Sequence, residues 1–169
     1  MAAYNLIATT TVGSGGAASI DFTSIPQTYT DLLVVCSLRG NRADVNSEIT
    51  VRFNGSTTSF SNRILFGNGA SASSASNQAW DILATGNTNT ASVFGNASIY
   101  VPNYAGSTNK SFSIDAVSES NATTAYQVLT AGLWSNTSAI TSVTLGVNTA
   151  NTTLINQYSS ASLYGIKNS

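Results

Sequence analysis

The fold class this sequence predicts is all-β, an antiparallel β-sandwich of jelly-roll-like form, and three observations predict it. Apolar residues recur at a spacing of two, the side-chain period of a strand. Clusters of Gly and Asn, residues that accept positive φ, break the chain at short intervals. No stretch carries a sustained apolar stripe at the 3.6-residue period of a helix. Many short strands at regular spacing describe a sandwich better than an up-and-down barrel.

The elements follow in chain order. Residues 4–12 alternate and carry no charge; residues 1–12 are expected to form an edge strand or a docking arm, with Tyr4 and Leu6 as candidate contacts to a neighbouring subunit. Gly13-Ser14-Gly15-Gly16 is a turn, and 18–22 the next strand. Residues 32–38 are apolar on both parities and predict a strand buried in the middle of the sandwich. Residues 48–54 give the cleanest alternation, with Ile49, Val51 and Phe53 on one face and an Asn54-Gly55-Ser56 turn after them. A strand at 63–66 precedes the Ser/Ala tract, so 67–79 is expected to be a mobile loop. Further strands are predicted at 97–101, 112–116, 126–134, 143–147 and 161–166. No composition change divides the chain, so residues 1–169 form a single domain.

Composition narrows the functions. Charged residues make up 8% of the 169, against about 25% in an ordinary soluble domain. Six Lys and Arg residues scattered from Arg39 to Lys167 cannot build a phosphate-neutralising patch, which argues against a nucleic-acid partner. A net charge of −1 leaves little repulsion between copies and tolerates dense assembly. Cys36 is the only cysteine and reads as a small buried hydrophobe, so no disulfide framework or thiolate metal site is expected. No segment has the pattern of a signal peptide or the length of a membrane span, and no membrane partner is expected.

The chain contains no His, which removes Ser-His-Asp and Cys-His catalysis and His-ligated metals. Acid/base chemistry would fall to seven carboxylates, two lysines and the tyrosines. Asp21, Asp31, Asp44, Asp81, Asp115, Glu48 and Glu119 show no paired spacing. The segment from Asn41 to Glu48 is too poor in acids for a calcium loop. The expectation is a non-enzymatic domain with no catalytic residue, cofactor or metal. Trp80 and Tyr104, at loop edges, join Tyr4 and Leu6 as candidate partner contacts, whereas Tyr126, Trp134 and Tyr164 are assigned to the core.

Several stretches carry a family resemblance: the opening from Leu6 to Phe22, Ser24-Ile25-Pro26-Gln27-Thr28-Tyr29-Thr30-Asp31-Leu32, Val51-Arg52-Phe53-Asn54-Gly55, Ile99-Tyr100-Val101-Pro102-Asn103-Tyr104, and the closing Ala161 to Lys167. Together they resemble virion structural proteins of tailed bacteriophages of the kind common in cyanobacterial phages. The resemblance covers nearly the whole chain and rests on turns, core positions and the closing strand. It implies a β-sandwich or jelly-roll domain located on the virion, assembled in the host cytoplasm. It implies a capsid decoration (cement) protein, a homotrimer that binds and bridges the major capsid protein on the outer shell. The alternative it implies is a tail or fibre domain that binds a host receptor or glycan. The compact sandwich, without a fibrous or coiled-coil segment, favours the cement role.

Overall fold

The computed structural model describes residues 3–121 and 124–167. Their strands, in chain order, are β1 (Ala3–Thr11), β2 (Ser19–Phe22), β3 (Asp31–Leu38), β4 (Asn46–Phe53), β5 (Phe60–Gly67), β6 (Ala72–Ser76), β7 (Ile82–Thr85), β8 (Gly95–Val101), β9 (Lys110–Glu119), β10 (Ala125–Trp134), β11 (Val143–Val147) and β12 (Ser160–Lys167). They form two antiparallel sheets. The larger has eight strands in the order β1-β12-β3-β8-β9-β10-β5-β6, and the smaller four, β2-β11-β4-β7. The sandwich expected from the sequence is the architecture found. Its eight-plus-four division exceeds the eight strands of a simple jelly roll.

The alternation does its work on the inner faces. Leu32, Val34, Cys36 and Leu38 of β3 point inward, as do Ile99 and Val101 of β8 and Phe112, Ile114 and Ala116 of β9. Ile49, Val51 and Phe53 of β4 and Val143 and Leu145 of β11 face them from the smaller sheet, all buried. Each buried Val, Leu, Ile or Phe among them contributes about 1.5–3 kcal/mol relative to exposure. At one end Phe53 meets Phe112 edge-on at 5.4 Å and Trp134 at 5.8 Å, while Phe60 stacks on Trp134 at 5.9 Å. Gly132 makes this cluster possible: it pairs with Phe112 across β9 and β10, and a Cβ there would meet the ring at 2.1 Å.

Polar groups close the two ends. Asn54 (φ 52°) turns the chain after β4, and its side-chain oxygen accepts the backbone N–H groups of Thr141 and Ser142. Two buried cations act as backbone staples. The Arg39 guanidinium donates to the carbonyls of Asn87, Asn89, Thr90 and Val93, and the Lys110 ammonium to those of Gly106, Thr108 and Thr137. Burial pulls both below their ordinary pKa.

Three expectations are corrected, and one strand is added. The Ser/Ala tract within 67–79 is not loop throughout: Ala72–Ser76 forms β6, paired with β5 from Gly67↔Ala72 to Arg63↔Ser76. Small side chains of low β-propensity hid it, and a neighbouring strand's free backbone groups supplied what propensity lacked. β7 was not foreseen, because Ile82, Leu83, Ala84 and Thr85 are all buried and show no alternation. β3 is not buried on both faces; Val35 is 45% exposed on the outer side. Tyr104, expected at a loop edge, is fully buried, its hydroxyl donating to the carbonyl of Pro26, so it caps the core.

Candidate interaction surface

The outer face of the eight-stranded sheet stands apart from the rest of the surface. Register defines its rows. One row runs Leu6, Tyr164, Leu33, Tyr100, Ser113, Ala131, Arg63, Ser76 across the whole sheet. The next runs Thr9, Ser162, Val35, Ser98, Asp115, Leu129, Leu65, Ser74. Because the side-chain period is two, every member of a row projects to the same side.

Apolar residues concentrate there. Tyr4 (64% exposed), Leu6 (58%), Leu65 (59%), Val35, Leu129, Tyr100 and Leu133 all project from this face; of the large exposed hydrophobics only Val45 and Tyr158 lie elsewhere among the described residues. Eight strands about 4.8 Å apart and about eight residues long span a face on the order of 1,000 Å2. Apolar side chains share that face with Ser, Thr, Asp115 and Arg63, and their concentration on one side of the sheet is what marks it as a candidate interaction surface.

Within the face lies a trough of about 480 Å3 lined by Arg63, Leu65, Tyr100, Asp115, Leu129 and Ala131. Its floor is apolar and its two charges sit on separate strands. Asp115 has no ion pair among the described residues, and Arg63 donates only to the carbonyl of Asn62 and the side chain of Asn77. At the trough's margin the Tyr100 hydroxyl donates to Asp31 at 2.9 Å. That bond, with burial second, holds the phenol above its ordinary pKa. Asp31 also accepts the backbone N–H of Asn103, so the loop after β8 and the Tyr100 ring are fixed together.

The candidates named from sequence separate. Tyr4 and Leu6 stand on the face, at its β1 edge. Trp80 is half-buried and packs against the core. Tyr104 is interior. Of the three aromatics assigned to the core, Trp134 is there, whereas Tyr126 stacks on Phe66 at 5.7 Å and Tyr164 is half-buried on the outer row. Sequence reading missed Leu65, Tyr100, Leu129 and Leu133. The signal was the apolar residue at both parities in 126–134 and 63–66.

The carboxylates are distributed over the fold, and three of them are engaged in ion pairs. Asp44 and Glu48 share Arg42, at 3.1 and 2.5 Å, and Glu48 also accepts from Asn148 and Asn151. Asp81 accepts from Arg52, the backbone N–H of Val51 and the side chain of Asn62. Among the described residues no three His, Cys, Asp or Glu side chains group as a metal site would require. Burial pushes the Cys36 thiol up to about 12, far from the thiolate a nucleophile needs. No protein-family model, curated protein or solved structure matches this chain.

Proposed function

We propose that this chain is a structural protein of a tailed-phage virion, a capsid decoration (cement) protein that lays the outer face of its eight-stranded sheet on the protein shell and bridges major capsid subunits. The single observation that carries the reading is the concentration of seven large exposed apolar side chains on that one face. A face on the order of 1,000 Å2 exceeds the roughly 800 Å2 each partner buries in a standard stable interface. With a net charge of −1, such docking draws little on screened electrostatics and should tolerate salt. Non-enzymatic action is supported by a chain without His and by the pairing of Asp44, Glu48 and Asp81 with Arg42 and Arg52. Cryo-electron microscopy of the parent particle tests the assignment: copies on the capsid lattice, apolar face inward, are expected, and copies found only at the tail tip overturn it.

A second reading has its own observation. Tyr100 projects from the trough beside Ser98, Ser113 and Asp115, an aromatic platform flanked by hydroxyl and carboxylate groups of the kind sugars stack on. A tail domain binding a host glycan would use it. Binding on a glycan array that is lost in Tyr100→Ala would favour this reading over capsid cement.

A further inference from the structure

The two sheets end differently. Native sheets guard their edges with charge, Pro, short strands or a covering segment, because an edge offers unpaired N–H and C=O groups to any passing chain. The smaller sheet obeys. β2 is four residues long and carries Asp21, and β7 is covered where the N–H of Gly40 donates to the carbonyl of Thr85. The larger sheet does not. β1 is nine residues and β6 five, and neither contains a charged residue or Pro. All five residues of β6 are exposed, as are Ala3, Tyr4, Asn5 and Leu6 of β1.

The hydrogen-bond phase of β6 shows which groups face outward. Asn77 donates to the carbonyl of Asn62, and Asn68 to that of Ser71, so the bonded pairs fall at 62/77 and 68/71. Alternation then makes 64/75 and 66/73 bonded, which points the N–H and C=O groups of Ala72, Ser74 and Ser76 to the open side. A five-residue Ser/Ala strand has little propensity to extend and buries nothing of its own. An incoming strand would supply the missing stabilisation.

From these edges we infer that copies of this chain associate edge to edge, with β6 of one copy pairing with β1 of the next. Three observations select a second copy as occupant. Strands alternate in direction across all eight positions, so β1 of a second copy enters beside β6 antiparallel, with its outer face on the same side. The side chains are complementary in size: β6 offers nothing larger than Ser, while β1 presents Tyr4 and Leu6, which lean across a row of small residues. A net charge of −1 leaves little repulsion to hold copies apart. A β-bulge between Leu6 and Ala8 divides β1 into two regular runs of four residues, 3–6 and 8–11, either of which suits the length of β6. The contact is head-to-tail, so it builds a ring or an open chain of copies rather than a two-fold dimer. It extends the proposed docking face from copy to copy, using the sheet edges together with Tyr4 and Leu6 at the face's β1 margin.

Sedimentation velocity over a concentration series, with hydrogen exchange on the same samples, tests the inference. Expected are species heavier than the monomer that grow with concentration, and slowed exchange at 72, 74 and 76 together with amides of β1. Ser74→Pro removes no β5–β6 bond and blocks the open edge; it should weaken association about ten-fold or more. Leu6→Lys charges the opposite edge without touching β6 and should do the same. A chain that stays monomeric up to about 1 mM overturns the inference. So does assembly that persists in either folded variant, or protection confined to the Leu65 and Leu129 face.

Discussion

The two outer faces of this sandwich follow opposite rules. On the four-stranded sheet the polar groups serve the chain itself. Asp21 accepts from the hydroxyls of Ser19 and Thr144, and Arg52 pairs with Asp81 at 2.9 Å while lying 4.9 Å over the Phe60 ring. On the eight-stranded sheet, large apolar side chains stand in solvent beside an Asp115 and an Arg63 that do not pair with each other. The first face is complete without a partner. The second has about 25 cal/mol still to gain for each Å2 of apolar surface that a partner covers. Internally satisfied polar groups distinguish one face, and uncovered apolar side chains the other, which is the face the proposal puts to work.

The comparison can be broken at several points. The largest effect is expected at Asp81. Asp81→Ala strands Arg52 and frees the N–H of Val51 and the side chain of Asn62, and should cost about 3–5 kcal/mol in denaturant unfolding. A loss below about 1 kcal/mol would mean that the polar face is not held by its own charges. Next comes the apolar face. Leu129→Arg should weaken docking on the proposed shell by about 30-fold or more, with stability changed by no more than about 0.5 kcal/mol. Thr144→Arg on the other face should leave shell affinity as it was; equal losses from the two variants would erase the distinction.

Two changes between the faces sharpen it further. Gly132→Ala drives a methyl group into the Phe112 ring and should cost about 2 kcal/mol, read as a lower Tm without any change in docking by the protein that remains folded. Tyr104→Phe deletes the bond to Pro26 and should cost about 1 kcal/mol, again without effect on docking, since the ring is interior. The smallest effect belongs to pH. The folded Cys36 thiol sits at about 12, above its unfolded value, so its contribution is full below about pH 9 and is lost as pH rises toward 12. At pH 10 the loss should be on the order of 1 kcal/mol, and Cys36→Ala should flatten that part of the stability curve.

Much of the fold was legible because strand period and turn chemistry are local. Segments such as Glu48 to Asn54 declare themselves through Ile49, Val51 and Phe53, and each predicted strand has its counterpart in the sheets. β6 and β7 were not legible, for opposite reasons. β6 has no apolar residue larger than Ala with which to mark a face, and β7 is buried on every side. The interaction surface was half legible. Tyr4 and Leu6 are visible as uncharged residues of a terminal strand, but Leu65 and Leu129 share their strands with the buried Ile64 and Val128, and neighbours of equal hydrophobicity carry no sign of direction.

By itself, then, the sequence determined that the chain is built from extended segments, where most of them turn, and that one set of alternating side chains would be enclosed in the segments that alternate. Tertiary structure decided which set. Alternation is symmetric between the two sides of a strand, and only the packing of one sheet on another breaks that symmetry. Strand order then lined up Leu6, Tyr164, Leu33 and Tyr100 from four distant parts of the chain into one exposed row, a juxtaposition that no local pattern encodes.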